Sequence, residues 1–311
     1  MSSPGRHGPP PALWAAIHIS LRKEWAEGSP RGLAVPLGAQ VMRPSPLRSA
    51  SLALATLAAF GDGRVVGATE RLVLMGGGPR PEAALARFVE WAGGSRGRVL
   101  IVPWASSEPV ESAASFREDL EPLHPGPIDV APFAPLGEVQ RASLLAMLGD
   151  AGGVFFTGGD QARIMDVLRD EGLLRAFRDR YRAGAVFGGT SAGTAIMSPR
   201  MITGEGDFTV IDAAQVETRP GLGLLEGTIV DQHFVKRQRQ NRLFGLILAH
   251  PELLGVGIDE GAAFMVKDGR FGEVVGSSPV MLVDGGREKG ALVVRLARPG
   301  QTVDLRERRI R

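Results

Sequence analysis

The chain contains no cysteine. That excludes disulfides, thiolate metal sites and a cysteine nucleophile, and leaves the redox compartment open. An excess of charge is also missing: 36 Lys and Arg stand against 34 Asp and Glu, for a formal net charge of +2. So small an excess implies neither nucleic acid nor a membrane surface as partner. The five histidines are scattered, without H-E-x-x-H or similar spacing, so neither a metal nor another cofactor is expected. No internal repeat is visible, and no apolar run is long enough to span a bilayer. What the chain does have is 311 residues, 44% hydrophobic and 23% charged, enough core for one large or two small soluble domains.

Residues 1–69 read as an irregular leader rich in Pro, Gly, Ser and Arg. Within it a basic stretch, Met42 to Arg48, precedes the apolar run Ser51 to Phe60. A basic segment before a short apolar one outlines an export signal if translation starts at Met42, although no clean cleavage site follows. The cytoplasm is the expected location, with export as the alternative. Residues 70–298 read as the catalytic domain and 299–311 as a tail.

From Glu70 the pattern becomes regular. Apolar strands are expected at Leu72–Met75, Val99–Val102, Ile128–Val130, Val154–Thr157 and Ala185–Phe187. Helices are expected at Ala84–Trp91, Ser112–Leu123, Arg141–Leu148 and Ala162–Leu168. Continuous apolar strands alternating with helices predict an α/β fold, a mostly parallel sheet with helices on both faces. Shorter strands between Val256 and Val294 predict an antiparallel C-terminal extension.

In such a sheet ligands bind beyond the carboxyl ends of the strands, where three glycine-rich loops fall. Gly76-Gly77-Gly78 lacks G-x-G-x-x-G and a Walker lysine, so nucleotide binding is not expected. Gly189-Thr190-Ser191-Ala192-Gly193 sits between a strand and a helix, where a sharp turn projects a serine as nucleophile. The amide of Ala192 and that of Gly159, in Gly158-Gly159-Asp160-Gln161, are candidate oxyanion donors. His233 ends the strand Ile229–Gln232 and is expected to open a helix at the level of the other loops, which makes it the candidate base. Glu260, also at a strand end, is the first choice for the orienting acid, with Glu205 and Asp207 as alternatives. The order Ser, His, acid differs from the Ser, acid, His of α/β-hydrolases.

Four motifs in this order carry a resemblance: Phe155-Phe156-Thr157-Gly158-Gly159-Asp160-Gln161, Gly188 to Gly193, Asp231-Gln232-His233-Phe234 and Gly257-Ile258-Asp259-Glu260. They resemble those of cyanophycinases, serine peptidases related to peptidase E, over about Arg71 to Val283. The resemblance implies a class I glutamine amidotransferase-like, flavodoxin-like fold. It also implies Ser191 as nucleophile, His233 as base and Glu260 as acid. Some relatives place the acid soon after the serine, where Thr209 stands here.

Cyanophycinases carry arginines just after the histidine, and this chain has Arg237, Arg239 and Arg242. On a helix after His233 they would clamp carboxylates bidentately. The implied partner is an arginyl-aspartate polymer, with Gln161, Asp231 and Gln232 as further polar contacts to it. The expected reaction is release of β-Asp-Arg dipeptides. A peptidase E-like aspartyl dipeptidase and a non-catalytic binding protein on the same fold are the alternatives, and association into a homodimer is left open.

Overall fold

The computed structural model describes residues 68–311 apart from Arg287 and Lys289; the leader with its Met42 start lies outside the described residues. The chain runs through β1 (Arg71–Met75), α1 (Glu82–Trp91), β2 (Arg98–Val102), α2 (Pro109–Leu120), β3 (Ile128–Val130), α3 (Glu138–Asp150) and β4 (Ala151–Phe156). There follow α4 (Gln161–Val167), α5 (Glu171–Arg182), β5 (Val186–Thr190), α6 (Ala192–Ala195), β6 (Arg200–Gly206), β7 (Val216–Pro220), β8 (Thr228–Gln232) and α7 (Gln240–Ala249). The last strands are β9 (Leu254–Ile258), β10 (Ala262–Lys267), β11 (Phe271–Gly276), β12 (Val280–Gly285), β13 (Leu292–Ala297), β14 (Thr302–Asp304) and β15 (Arg309–Ile310).

Nine strands form the central sheet in the order β15-β14-β11-β10-β1-β5-β4-β2-β3. Its β1, β5, β4, β2 and β3 are parallel; β10, β11, β14 and β15 continue it antiparallel. The parallel strands are largely apolar because helices cover both faces. Val73, Ile101 and Phe155 point to one core, with Phe88 of α1 and Phe116 of α2. Their neighbours Leu74, Leu100 and Phe156 point to the other, with Leu144 of α3, Ile164 of α4 and Phe177 of α5. Each such buried side chain stabilises by about 1.5–3 kcal/mol. The first core is further fixed by aromatic geometry. Phe116 stacks on Phe155 at a centroid distance of 3.7 Å, and Phe88 meets both rings edge-on.

A second sheet, β13-β12-β9-β8, carries α7 on one face through Leu243, Leu246 and Ile247. Within it β8 and β9 are parallel, with Gln232 opposite Ile258, so His233 and Asp259 leave the sheet side by side. A separate hairpin joins β6 and β7.

The structure departs from the sequence reading at the C-terminal strands, at residues 299–311 and after His233. The expected single C-terminal extension is divided, β10 and β11 joining the central sheet while β9, β12 and β13 pair beside β8. Residues 299–311, read as a tail, supply β14 and β15 to the central sheet. No helix opens at His233. A turn carries the chain to Gln240, with His233 and Gln238 at positive φ (47° and 53°). Two of its amides bond to a side chain, the Asp259 carboxylate accepting from the N–H groups of Val235 and Lys236 at 3.1 and 2.9 Å, while those of Arg237, Gln238 and Arg239 donate to the carbonyls of His233, Val235 and Phe234.

Candidate active site

The site forms around the end of β1. Met75 lies opposite Thr190 of β5 on one side and Ala263 of β10 on the other. Beyond it, the Met75 carbonyl accepts the Ser191 amide at 3.1 Å, and the Gly76 carbonyl accepts the His233 amide at 2.8 Å. One glycine-rich turn therefore holds the two central residues from opposite sides.

Ser191 stands between β5 and α6 with φ 52° and ψ −113°. For a residue with a Cβ such backbone costs about 1–3 kcal/mol, and surrounding contacts must impose it. Close packing imposes it here, since a Cβ on Gly189 would overlap the Gly193 backbone, and one on Gly193 the Phe156 carbonyl. Thr194, fully buried, adds a clamp: its hydroxyl lies 2.7 Å from the carbonyls of both Met75 and Gly189 and accepts the Met75 amide at 3.0 Å.

The Ser191 Oγ lies 2.8 Å from His233 Nε2, and His233 Nδ1 lies 2.6 Å from Glu260 Oε1. The serine hydroxyl can donate to Nε2 when Nδ1–H donates to the carboxylate, the tautomer a general base requires. Burial pushes the His233 pKa below the ordinary histidine value. Its bond to Glu260 opposes that shift, while the positive field of Arg237 and Arg239 adds to it. The imidazole is therefore neutral at neutral pH and able to take a proton.

The alternative acids lie elsewhere. Asp207 accepts from the amide and hydroxyl of Thr209 at 2.9 and 2.6 Å, and these bonds hold its carboxyl below the usual range. Glu205 lies on the wall of a cleft of about 310 Å³ into which Ser191 opens. Gly159, Gln161, Gln232, Arg237 and Arg239 also line this cleft. Among the described residues neither the Gly159 nor the Ala192 amide donates to another protein group; Gly159 lines the cleft, while Ala192 is buried beside Ser191. A larger cavity, about 650 Å³, lies beyond the loop after β2 and holds none of Ser191, His233 and Glu260.

The expected substrate contacts divide into two groups. Arg239 donates to the carbonyl and side-chain oxygens of Gln232 at 3.0 and 2.6 Å and, among the described residues, pairs with no carboxylate. Burial, reinforced by the nearby charge of Arg242, lowers its pKa to about 10. Gln161 turns its amide onto the Ile202 carbonyl at 2.8 Å. Arg242 and Asp231 correct the expectation. Each side chain is only 1% exposed, and the two are joined as a buried ion pair. Arg242 also reaches the Thr203 carbonyl and lies over the Phe208 ring, while Asp231 accepts the Gln232 amide. Neither lines the cleft. Burial of one neutralises burial of the other, and together they tie β6 to β8.

Thr194, Asp259 and the cleft residues Thr203, Glu217 and Arg219 were not singled out from the sequence, and the Gly76-Gly77-Gly78 loop was marked at the strand ends without its role beside His233. Asp259 adjoins Glu260 in a quoted motif and was the most accessible of these. Among the described residues no group of three or more His, Asp and Glu side chains is arranged to hold a metal ion. No described helix is long and apolar enough to cross a membrane.

Comparison with known proteins bears on this geometry. The profile of peptidase family S51 matches residues 72–274. The chain belongs to peptidase family S51. It is 34% identical over 222 residues to a cyanophycinase of Trichormus variabilis, covering 70% of this chain and 74% of that protein. A peptidase E of Salmonella gallinarum is 28% identical over 151 residues, covering 44% and 62% of the two chains. A crystal structure of a peptidase from an acI-B1 actinobacterium superposes with a TM-score of 0.60 at 20% identity, covering 76% and 98% of the chains, a likeness of fold. The chain is therefore a peptidase, and the serine type fits its family.

Proposed function

We propose that the chain is a cytoplasmic serine exopeptidase that hydrolyses multi-L-arginyl-poly-L-aspartate to β-Asp-Arg dipeptides. The observation that carries the reading is the hydrogen-bonded series Ser191, His233, Glu260 opening into a cleft lined by Arg237 and Arg239. In the first step the Ser191 Oγ attacks the carbonyl carbon of an aspartyl unit while His233 Nε2 takes its proton. The oxyanion accepts hydrogen bonds from the Gly159 and Ala192 amides, each worth about 10²–10³ in rate in comparable sites. His233 returns the proton to the leaving amine as the peptide C–N bond breaks. Water then attacks the acyl ester with His233 again as base, releasing the dipeptide and restoring the serine. Glu260 holds the imidazole and offsets its transient positive charge.

On this reading the architecture is class I glutamine amidotransferase-like and flavodoxin-like, with serine as nucleophile. Residues 70–298 carry the catalytic machinery. All three reacting residues come from one chain, so each copy of a homodimer would hold its own site. Arg237, Arg239 and Gln232 would meet substrate carboxylates and amides.

A second reading, a dipeptidase for short aspartyl peptides, is favoured by the likeness to peptidase E. One assay separates the two. The purified chain is incubated with the arginyl-aspartate polymer and with a panel of short Asp-Xaa peptides, and the products are identified by mass. Release of β-Asp-Arg from the polymer is expected. Cleavage of the short peptides alone overturns the polymer reading in favour of the dipeptidase.

A further inference from the structure

The cleft carries charges of both signs: Arg237 and Arg239, after β8, Asp160 at the α4 entry, and Glu205, Glu217 and Arg219 of the β6–β7 hairpin all line it. Two of these carboxylates are already engaged. Asp160 caps α4 by accepting the Ala162 amide at 2.8 Å. Glu217 accepts from Arg219 at 3.0 Å and lies 3.0 Å from the Thr203 hydroxyl. Among the described residues the Glu205 carboxylate makes no ion pair or hydrogen bond.

Its backbone is nevertheless held in place. The Glu205 amide donates to Thr203 Oγ1 at 3.3 Å. The carbonyls of Ile202 and Thr203, just before it, are gripped by Gln161 at 2.8 Å and by the buried Arg242 at 3.4 Å. A free carboxylate is thus carried on an anchored strand that lines the cleft Ser191 opens into, a cleft also lined by Arg239, which among the described residues has no carboxylate partner. Such a site favours a ligand with a cation at one end and an anion at the other. A β-linked aspartyl-arginine unit has that form, with a planar guanidinium that a carboxylate engages through two parallel N–H···O bonds.

We infer that Glu205 is a specificity-determining residue that receives the substrate guanidinium in the cleft it lines together with Ser191, Arg237 and Arg239. The inference rests on the arginyl-aspartate reading and adds to it the residue that selects arginine.

The test compares two model polymers, one with arginyl and one with citrullinyl side chains, the latter a neutral near-isostere of arginine. The wild-type enzyme is expected to favour the arginyl polymer in kcat/KM by about ten- to hundredfold. In Glu205→Gln that ratio should collapse towards one, with the loss mainly in KM, and Glu205→Asp should retain most of the preference. A Glu205→Gln enzyme that keeps the wild-type ratio overturns the assignment, as does one that loses activity on both polymers by the same factor. If the wild type cleaves neither polymer but does cleave short aspartyl peptides, the substrate reading fails and this inference falls with it.

Discussion

Gly77 lies so close to His233 that a β-carbon at that position would come within 2.3 Å of the imidazole Cε1. Its φ of 109° also belongs to the region that favours glycine. The turn after β1, which the sequence offered only as a poor nucleotide loop, is instead the floor beneath the histidine. Its neighbour Gly78 packs against Glu260, where an added Cβ would lie 3.0 Å from the side chain. Replacing Gly77 by Ala should displace the ring from Ser191 and lower kcat by about a hundredfold or more, with less change in KM. Gly94 supplies the control, since its φ is also positive (61°) but nothing lies within 4 Å of an added Cβ. Gly94→Ala should lower thermal stability and leave turnover intact. Equal turnover in the two variants would show that the turn does not position the histidine.

Removing the nucleophile gives the simplest outcome. Ser191→Ala should fold normally and lose turnover by about a thousandfold or more. Among the carboxylates, Glu260→Gln should impair kcat far more than Asp207→Asn, because only Glu260 meets the imidazole, at 2.6 Å. The reverse ranking, measured on the same substrate, would transfer the orienting role to the segment after the serine.

The pH dependence follows from the environment of His233. Burial first, then Arg237 and Arg239, lowers its pKa, and Glu260 only partly restores it. A base with a lowered pKa stays unprotonated further into acid, so the acid limb of kcat/KM should lie below the ordinary histidine value of about 6.5. Removing the positive charge in Arg237→Gln weakens the lowering and should move that limb to higher pH. A limb that stays in place or moves to lower pH would show that Arg237 does not act electrostatically on the imidazole.

The residues that were legible in the sequence share a local signature. Ser191 is marked by its flanking glycines, and His233 and Glu260 by their places at strand ends. The parallel strands are marked by unbroken apolar runs such as Leu72–Met75. What escaped depends on contacts between distant segments. Thr194 reads as an ordinary helix residue until the Met75 backbone arrives beside it. The hairpin of β6 and β7 is only partly buried and carries mixed polar residues, so its strands lack the apolar runs that marked the others. Helix α5 went unread although Leu173, Phe177 and Tyr181 recur every four residues on its buried face; that signal was present. The arginine run shows the limit most clearly. Three guanidiniums within six positions are equivalent in sequence, and only the fold sends one into the core.

That division gives the last prediction. Arg242 is buried against Asp231 and cannot reach a substrate in the cleft, whereas Arg237 and Arg239 line it. Arg242→Met leaves the Asp231 carboxylate buried without its partner, which should cost about 3–5 kcal/mol of stability. The double variant Asp231→Leu with Arg242→Met should recover part of that loss, because no uncompensated charge remains. Arg239→Gln should instead raise KM for the polymer by about tenfold for each 1.4 kcal/mol of binding lost. Added salt should weaken the wild type more than this variant, since the lost contact is ionic. Thermal denaturation and steady-state kinetics on the same three proteins separate the effects. If Arg242→Met keeps its melting temperature and raises KM as Arg239→Gln does, Arg242 contacts substrate directly and the buried pair is not what holds β6 against β8.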